Sequence, residues 1–204
     1  MARQGLAAHQ KKARRWGAYL VLIDESGLLM APLLRRSWAL RGHPSEIFQQ
    51  GGEREKVSIA AAMWLSPCRD RLGLLFRTLP NAYFNNQQVA TFLEDLLSTL
   101  RGRVVVIWDG GPMHKGDPIR DALRCHPREL SLERLPPYAP ILNPVENVWA
   151  WLKYDRLENF APKCVSDLEA AATAELSKIY EDQHFLQALW HGSDLPLPRR
   201  TLLC

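Results

Sequence analysis

Two apolar runs, "AYLVLID" (Ala18 to Asp24) and "RVVVIWD" (Arg103 to Asp109), constrain the fold of this chain more than any other feature. Short continuous apolar runs bounded by polar residues are strands buried on both faces, and a sheet covered on both faces needs helices to cover it. Each run ends in an aspartate, and a bare carboxylate at the mouth of a buried strand is costly unless something partners it. Small residues follow both, Ser26-Gly27 and Gly110-Gly111, and leave room for another group to approach the backbone. In open α/β sheets, ligands collect at such strand ends. Turn formation is the plain alternative for either aspartate alone. For two at matching strand ends it is a poorer account. Side-chain alternation puts Asp24 on the face of Leu20 and Leu22 and turns Glu25 the other way, so the natural pair is Asp24 with Asp109.

Around these runs the pattern predicts a mixed sheet. "SWALRGHP", "KVSIAAAMWL" and "RLGLLFRTL" read as antiparallel strands, with turns at Gly42-His43-Pro44 and Ser66-Pro67. In "NNQQVATFLEDLLSTLRG", Val89, Phe92, Leu93, Leu96 and Leu100 recur at helical spacing, and Gly102 stands at the stop position. A short helix is expected around Pro118 to Arg124, then a strand "ELSLERL", a helix from Pro144 to about Leu157, and one long helix over Val165 to Trp190. The expectation is α/β, a mixed central sheet flanked by helices in one domain spanning residues 18–192, with an arm at 1–17 and a loose tail at 193–204.

Composition narrows the setting. The chain of 204 residues is 47% hydrophobic and 24% charged, the profile of a globular protein with a proper core. The apolar run Ala18 to Ile23 is too short for a signal or a membrane span, which points to the cytoplasm. Cys68, Cys125, Cys164 and Cys204 form no C-x-x-C pair, so a zinc site is not expected and free thiols are. Residues 1–23 carry Arg3, Lys11, Lys12, Arg14 and Arg15 and no acid, whereas the remainder is close to neutral. A basic arm of this kind can pair with DNA phosphates or simply be solvated. Trp38, Trp64, Trp108 and Trp149 sit in apolar patterns and read as core; Trp151 lies off the apolar stripe and is the exposed candidate for base stacking.

A third carboxylate would complete a set of oxygen ligands suited to two divalent ions flanking a phosphodiester. Glu146 is the candidate, in "LPPYAPILNPVENVWAWLK" (Leu135 to Lys153). The same residues also satisfy a capping box, with Asn143, Pro144 and Glu146 at N-cap, N1 and N3. Spacing alone leaves both readings open.

At these residues the chain resembles a family. "LIDESG", "VIWDGGPMHKG" and "LPPYAPILNPVENVWAWLK" look like the three blocks of the DDE transposase catalytic domain, in the bacterial insertion-sequence branch related to mariner elements. "SWALRGHP" also resembles a family segment, and the likeness covers about residues 19–157. The resemblance implies an RNase H-like fold with Asp24, Asp109 and Glu146 as catalytic, metal-binding triad, and the 36 residues between Asp109 and Glu146 suit this branch. It implies Mg²⁺ as cofactor, two ions, with Mn²⁺ able to substitute. The implied reaction is phosphodiester hydrolysis at transposon ends followed by strand transfer into target DNA. Double-stranded DNA is the implied partner, bound by a homodimer. Candidate DNA contacts are His114, Lys115, Lys153, Lys11, Lys12, Arg14 and Arg15; His114 is alternatively a residue that orients its loop.

Departures from the family pattern are local. Gly110 stands where relatives have asparagine, and Ala139 and Ile141 replace a serine and an acid. None removes a metal ligand, but lost hydrogen bonds near a metal weaken it. About eighteen residues precede the first strand, too few for the helix-turn-helix module that relatives carry, so an upstream-frame partner supplying one is expected. Two alternatives stand beside the transposase reading: a nuclease of the same fold that only hydrolyses, and an inactive DNA-binding remnant.

Overall fold

Strand β1 (Tyr19–Leu29) is the hub on which every other element is placed. In the computed structural model, residues 2–36, 38, 41–43, 46–47, 55–135, 140–180, 182–193 and 195 are described, the side chains of 2–5 and 140 aside. The other strands are β2 (Lys56–Leu65), β3 (Leu72–Pro80), β4 (Val104–Trp108) and β5 (Leu130–Arg134), and the sheet order is β3-β2-β1-β4-β5. The first three strands form an antiparallel meander. β4 pairs parallel with β1, and β5 parallel with β4. The helices are α1 (Ala2–Trp16), α2 (Asn86–Leu100), α3 (Asp117–Cys125), α4 (Val145–Trp151), α5 (Val165–Ile179) and α6 (Gln183–His191).

Strand alternation divides the core in two. Leu20, Leu22, Val105 and Ile107 face α1, α4, α5 and α6, whereas Val21, Ile23, Val104, Val106 and Trp108 face α2 and α3. Both central strands are therefore buried on both sides, as their apolar runs predict. In the meander, Trp64 pairs with Gly73 across β2 and β3, and its indole lies over the glycine, where a Cβ would come within 2.1 Å of the ring. The cross-strand glycine is thus the seat of that ring.

Several expectations change. β1 does not end at Asp24: β2 keeps it extended to Leu29, while its pairing with β4 stops at Leu22. The basic arm is helix α1, because Leu6 and Ala13, seven apart, share one face and bury into the core, and Arg14 and Arg15 suit its C-terminal turn. Burying Leu6 alone contributes about 2 kcal/mol. The expected long helix over Val165 to Trp190 is two helices, α5 and α6. Asp182 caps the second, its side chain accepting from Phe185 N. α2 stops at Arg101, left-handed at φ 44°, one residue before the expected Gly102. Cys68 takes part in a disulfide, against the expectation of free thiols, while Cys125 and Cys164 are free.

The strand expected over "SWALRGHP" falls largely outside the described residues; Arg41 and Gly42 form a turn there and Trp38 lies in no strand. Trp38 is fully exposed, not core, and Trp151 is half-buried against Phe185. Of the proline run, residues 136–139 lie outside the described set. In the segment expected to be a loose tail, Leu195 is buried, and 196–204 lie outside the described residues. Among the described residues no helix is long and apolar enough to cross a membrane.

Candidate active site

β4 leaves the sheet after Trp108 while β1 runs on, so the sheet loses a strand there, and the carboxylates stand at that step. Leu22 is registered with Ile107, which puts Asp24 and Asp109, each two residues further along, at the same level of the parallel pair. Asp24 follows Leu20 and Leu22 onto the α4 face, and Glu25 turns to the α2 face, as alternation predicts.

α4 brings the third acid. Asn143, buried at 3% exposure, seats the helix: its Oδ1 accepts from Val145 N (3.2 Å) and its Nδ2 donates to the Ile23 carbonyl of β1 (3.2 Å). The reciprocal capping box does not form: Asn143 Oδ1 accepts from Val145 N and not from Glu146 N, and Glu146 stands exposed. Three residues later on the same helical face, Trp149 Nε1 donates to Asp24 Oδ2 (2.8 Å). Asp24, Ser26, Glu146, Trp149 and Lys153 line one hollow of about 300 Å³, in which Lys153 Nζ donates to Ser26 Oγ (2.6 Å).

Asp109 is held by its own loop. Its Oδ1 accepts from Gly111 N (2.8 Å) and lies 2.8 Å from His114 Nδ1. A Cβ on Gly111 would stand 3.0 Å from that same oxygen, which explains the glycine; Gly110 instead faces the Arg134 guanidinium. His114 stacks on Trp108 with ring centroids 4.3 Å apart, and its Nε2 meets Glu25 Oε1 at 3.0 Å. Burial resists charge on this imidazole, but the Glu25 and Asp109 acceptors outweigh it and hold its pKa above the ordinary histidine value. His114 is buried at 7% exposure, with Nδ1 3.0 Å from the Asp109 carbonyl oxygen and Nε2 on Glu25.

Electrostatics set this cluster apart. Asp24 is pushed up to about 7, first by burial, then by Glu146, Glu25 and Asp109, against the lowering hydrogen bond from Trp149. Lys153 is lowered by burial while Glu146 and Asp24 oppose that shift. Among the described residues, no three His, Cys, Asp or Glu side chains lie close enough as they stand to hold a metal ion. The chemistry of the set fits one nonetheless. Three oxygen-donor acids face one step of the sheet, Asp24 is pushed up by burial and then by its acidic neighbours, and the Asp109 and Glu146 side chains are exposed.

The remaining candidates are dispersed. Lys115 is exposed beside His114. Lys11, Lys12, Arg14 and Arg15 of α1 do not line the acidic hollow, and Lys12 is tied to β5 through Ser131 Oγ (2.8 Å) and Glu133. Asn143, Trp149, Ser26 and Glu25 were not singled out from sequence as parts of the site. Asn143 was legible as a helix start and Glu25 as facing away from Asp24, but the contacts of Asn143 and Trp149 with β1 were not.

Residues 19–169 match the family model of the DDE superfamily endonucleases. The chain belongs to that family. Among solved structures, this DDE endonuclease is similar to the Mos1 mariner paired-end complexes with Mn (18% identity, TM-score 0.61, 94% of this chain and 56% of that one) and with Mg (17%, 0.59, 96% and 63%). The catalytic domain of Mos1 mariner transposase matches at 16% identity and TM-score 0.54, over 94% of this chain and 83% of that one. These likenesses establish the RNase H-like architecture; the chain spans less than two thirds of the first two. No curated protein matches in sequence.

Proposed function

We propose that the chain is the catalytic part of a DNA transposase, cutting phosphodiesters at transposon ends and joining the freed 3′-hydroxyl to target DNA, with Asp24, Asp109 and Glu146 as metal ligands. The observation that carries this reading is the meeting of Asp24 and Glu146 in one hollow, level with Asp109 across β1 and β4, with Asp24 pushed up to about 7 by burial and its acidic neighbours. The Mos1 complexes with Mg and with Mn support the choice of Mg²⁺, with Mn²⁺ as substitute. Bound there, divalent ions would activate the attacking oxygen and stabilise the leaving one.

The chain's own residues do the rest. His114 and Gly111 fix Asp109 Oδ1 and leave Oδ2 as the ligating oxygen, while Trp149 fixes Asp24 Oδ2 and leaves Oδ1. Lys153, in the same hollow, is placed to meet a phosphate. Lys11, Arg14 and Arg15 are exposed on α1 and are available to more distant phosphates. Double-stranded DNA is the substrate, a homodimer would pair two ends, and a helix-turn-helix partner would read the terminal repeats.

The test incubates the protein with duplex carrying terminal repeats and Mg²⁺ or Mn²⁺, and resolves nicked and joined products. Nicking and joining that Asp109→Asn abolishes is the expected result. Cutting that survives Asp109→Asn overturns the triad, cutting without joining assigns a plain nuclease, and binding without cutting assigns an inactive remnant.

A further inference from the structure

β1 beyond Asp24 separates two hollows, and only one belongs to the triad. The second lies on the α2 face and measures about 370 Å³, lined by Glu25, Gly27 and Leu29 of β1 with Lys56, Tyr83 and Phe84 among others. The two share Glu25 and Ser26. What divides them is one strand without a neighbour on its β4 side, because β1–β4 pairing has ended at Leu22. Gly27 puts no side chain on that wall, and a Cβ there would meet nothing within 4 Å.

Two side chains give the second hollow its chemistry. Lys56 is only 8% exposed, yet the described residues offer its ammonium the ring and hydroxyl of Tyr83 and no carboxylate. Tyr83 is 78% exposed: one face of its ring covers the ammonium and the rest is open to solvent. Asn81 holds the pair in place, its N–H donating to the Lys56 carbonyl (2.9 Å) and its Oδ1 accepting from Lys56 N (3.2 Å). The carboxylate in the lining, Glu25, is engaged by His114 Nε2 at 3.0 Å. An open aromatic face backed by a buried cation is a site for a nucleotide, the base stacking on the free face of the ring and the positive charge behind it attracting the adjoining phosphate.

We propose that the Lys56–Tyr83 hollow binds an unpaired nucleotide of the DNA strand whose neighbouring phosphate lies at the triad, the strand crossing the free edge of β1 at Gly27. This rests on the reading of the triad as the phosphodiester site. A fully paired duplex does not offer a free base face, so the hollow favours substrates with a single-stranded segment next to the cut.

The test measures fluorescence anisotropy of the full chain in EDTA with a blunt duplex and with the same duplex carrying a three-nucleotide single-stranded extension. The extended duplex should bind about fivefold or more tightly, the lower end of one base-on-aromatic stack. Tyr83→Ala should abolish that preference and leave blunt-duplex binding as it was; Tyr83→Phe should retain it. Lys56→Met should reduce it, judged only if the melting curve stays intact. Equal binding of the two duplexes by the wild type overturns the proposal, and so does a Tyr83→Ala variant that keeps the preference or weakens both duplexes alike. Because no divalent ion is present and binding alone is read, the result does not depend on the metal-loaded triad, so failure here is separable from failure of the triad.

Discussion

The acids of the site are held in two different ways. Asp109 is secured from within five residues of itself, by Gly111 N–H and His114 Nδ1. Asp24 is secured from 125 residues away by Trp149, and Glu146 stands where Asn143 seats α4 on Ile23, 120 residues distant in sequence. One half of the site is therefore a property of a loop and the other a property of the tertiary fold. The local half should survive partial loosening of the helices; the long-range half should fail with them.

The strongest challenge to this contrast is removal of the acids themselves. Asp24→Asn, Asp109→Asn and Glu146→Gln should each lower cleavage by about a thousandfold or more, whichever half the acid belongs to. Near-normal cleavage by any one of them would remove that residue from the set.

Next comes pH. Asp24 is raised from 3.8 to about 7 in the folded chain, so the folded state binds its proton more tightly than the unfolded state. Its stabilising contribution is then complete below about pH 4 and lost as pH rises to about 7, up to about 4 kcal/mol over that window. Metal-free Asp24→Asn should lack this loss, so it should exceed the wild type in thermal stability at pH 8 and not at pH 4. Parallel melting-temperature curves for the two proteins across this range would contradict the assignment.

The supporting residues separate the halves more finely. His114→Ala should weaken Mn²⁺ binding by about 10–100-fold, the usual cost of losing a partner that orients a ligand, read by titrating tryptophan fluorescence. Trp149→Phe removes the donor to Asp24 together with part of the buried indole and should weaken binding in the same direction. Their double variant should be additive if the halves are independent. Asn143→Ala should leave metal chemistry untouched except through the fold, costing about 1–3 kcal/mol in stability from the buried amide contacts it breaks, measured by denaturant unfolding.

Legibility in the sequence followed the same division. The two buried strands, the meander and α2 were readable because their signals are local periodicities. Glu25's turn away from Asp24 was readable from alternation, but its contact with His114 was not, because His114 arrives through a 3₁₀ turn (Pro112–His114) whose direction no periodicity encodes. Trp149 looked like core and is core; that its indole N–H also meets Asp24 depends on how α4 crosses β1. The segment of α1 read as a charged arm because among its described side chains one leucine, Leu6, and one alanine, Ala13, carry its buried face. Trp38 was misjudged because a lone tryptophan in an apolar run carries no mark of exposure.

Beyond α4 the chain makes a π-helical turn, Leu152–Arg156, closed by Leu157 N donating to the Leu152 carbonyl at 2.9 Å. Such a turn holds one residue more than an α-helix needs. That spare residue is taken up within the one turn, so Leu157 comes back onto the face of Leu152. Deleting one of the exposed residues Tyr154, Asp155 or Arg156 would turn the wide turn into an ordinary helical one and keep Leu157 on the face of Leu152, now four residues on. Inserting a further residue there has no such outlet: it would turn Leu157 away from the core and shift the parallel bridge between Leu33 and Glu158. The segment that runs on from β1 is thus docked by a miscount in the helix that carries Glu146.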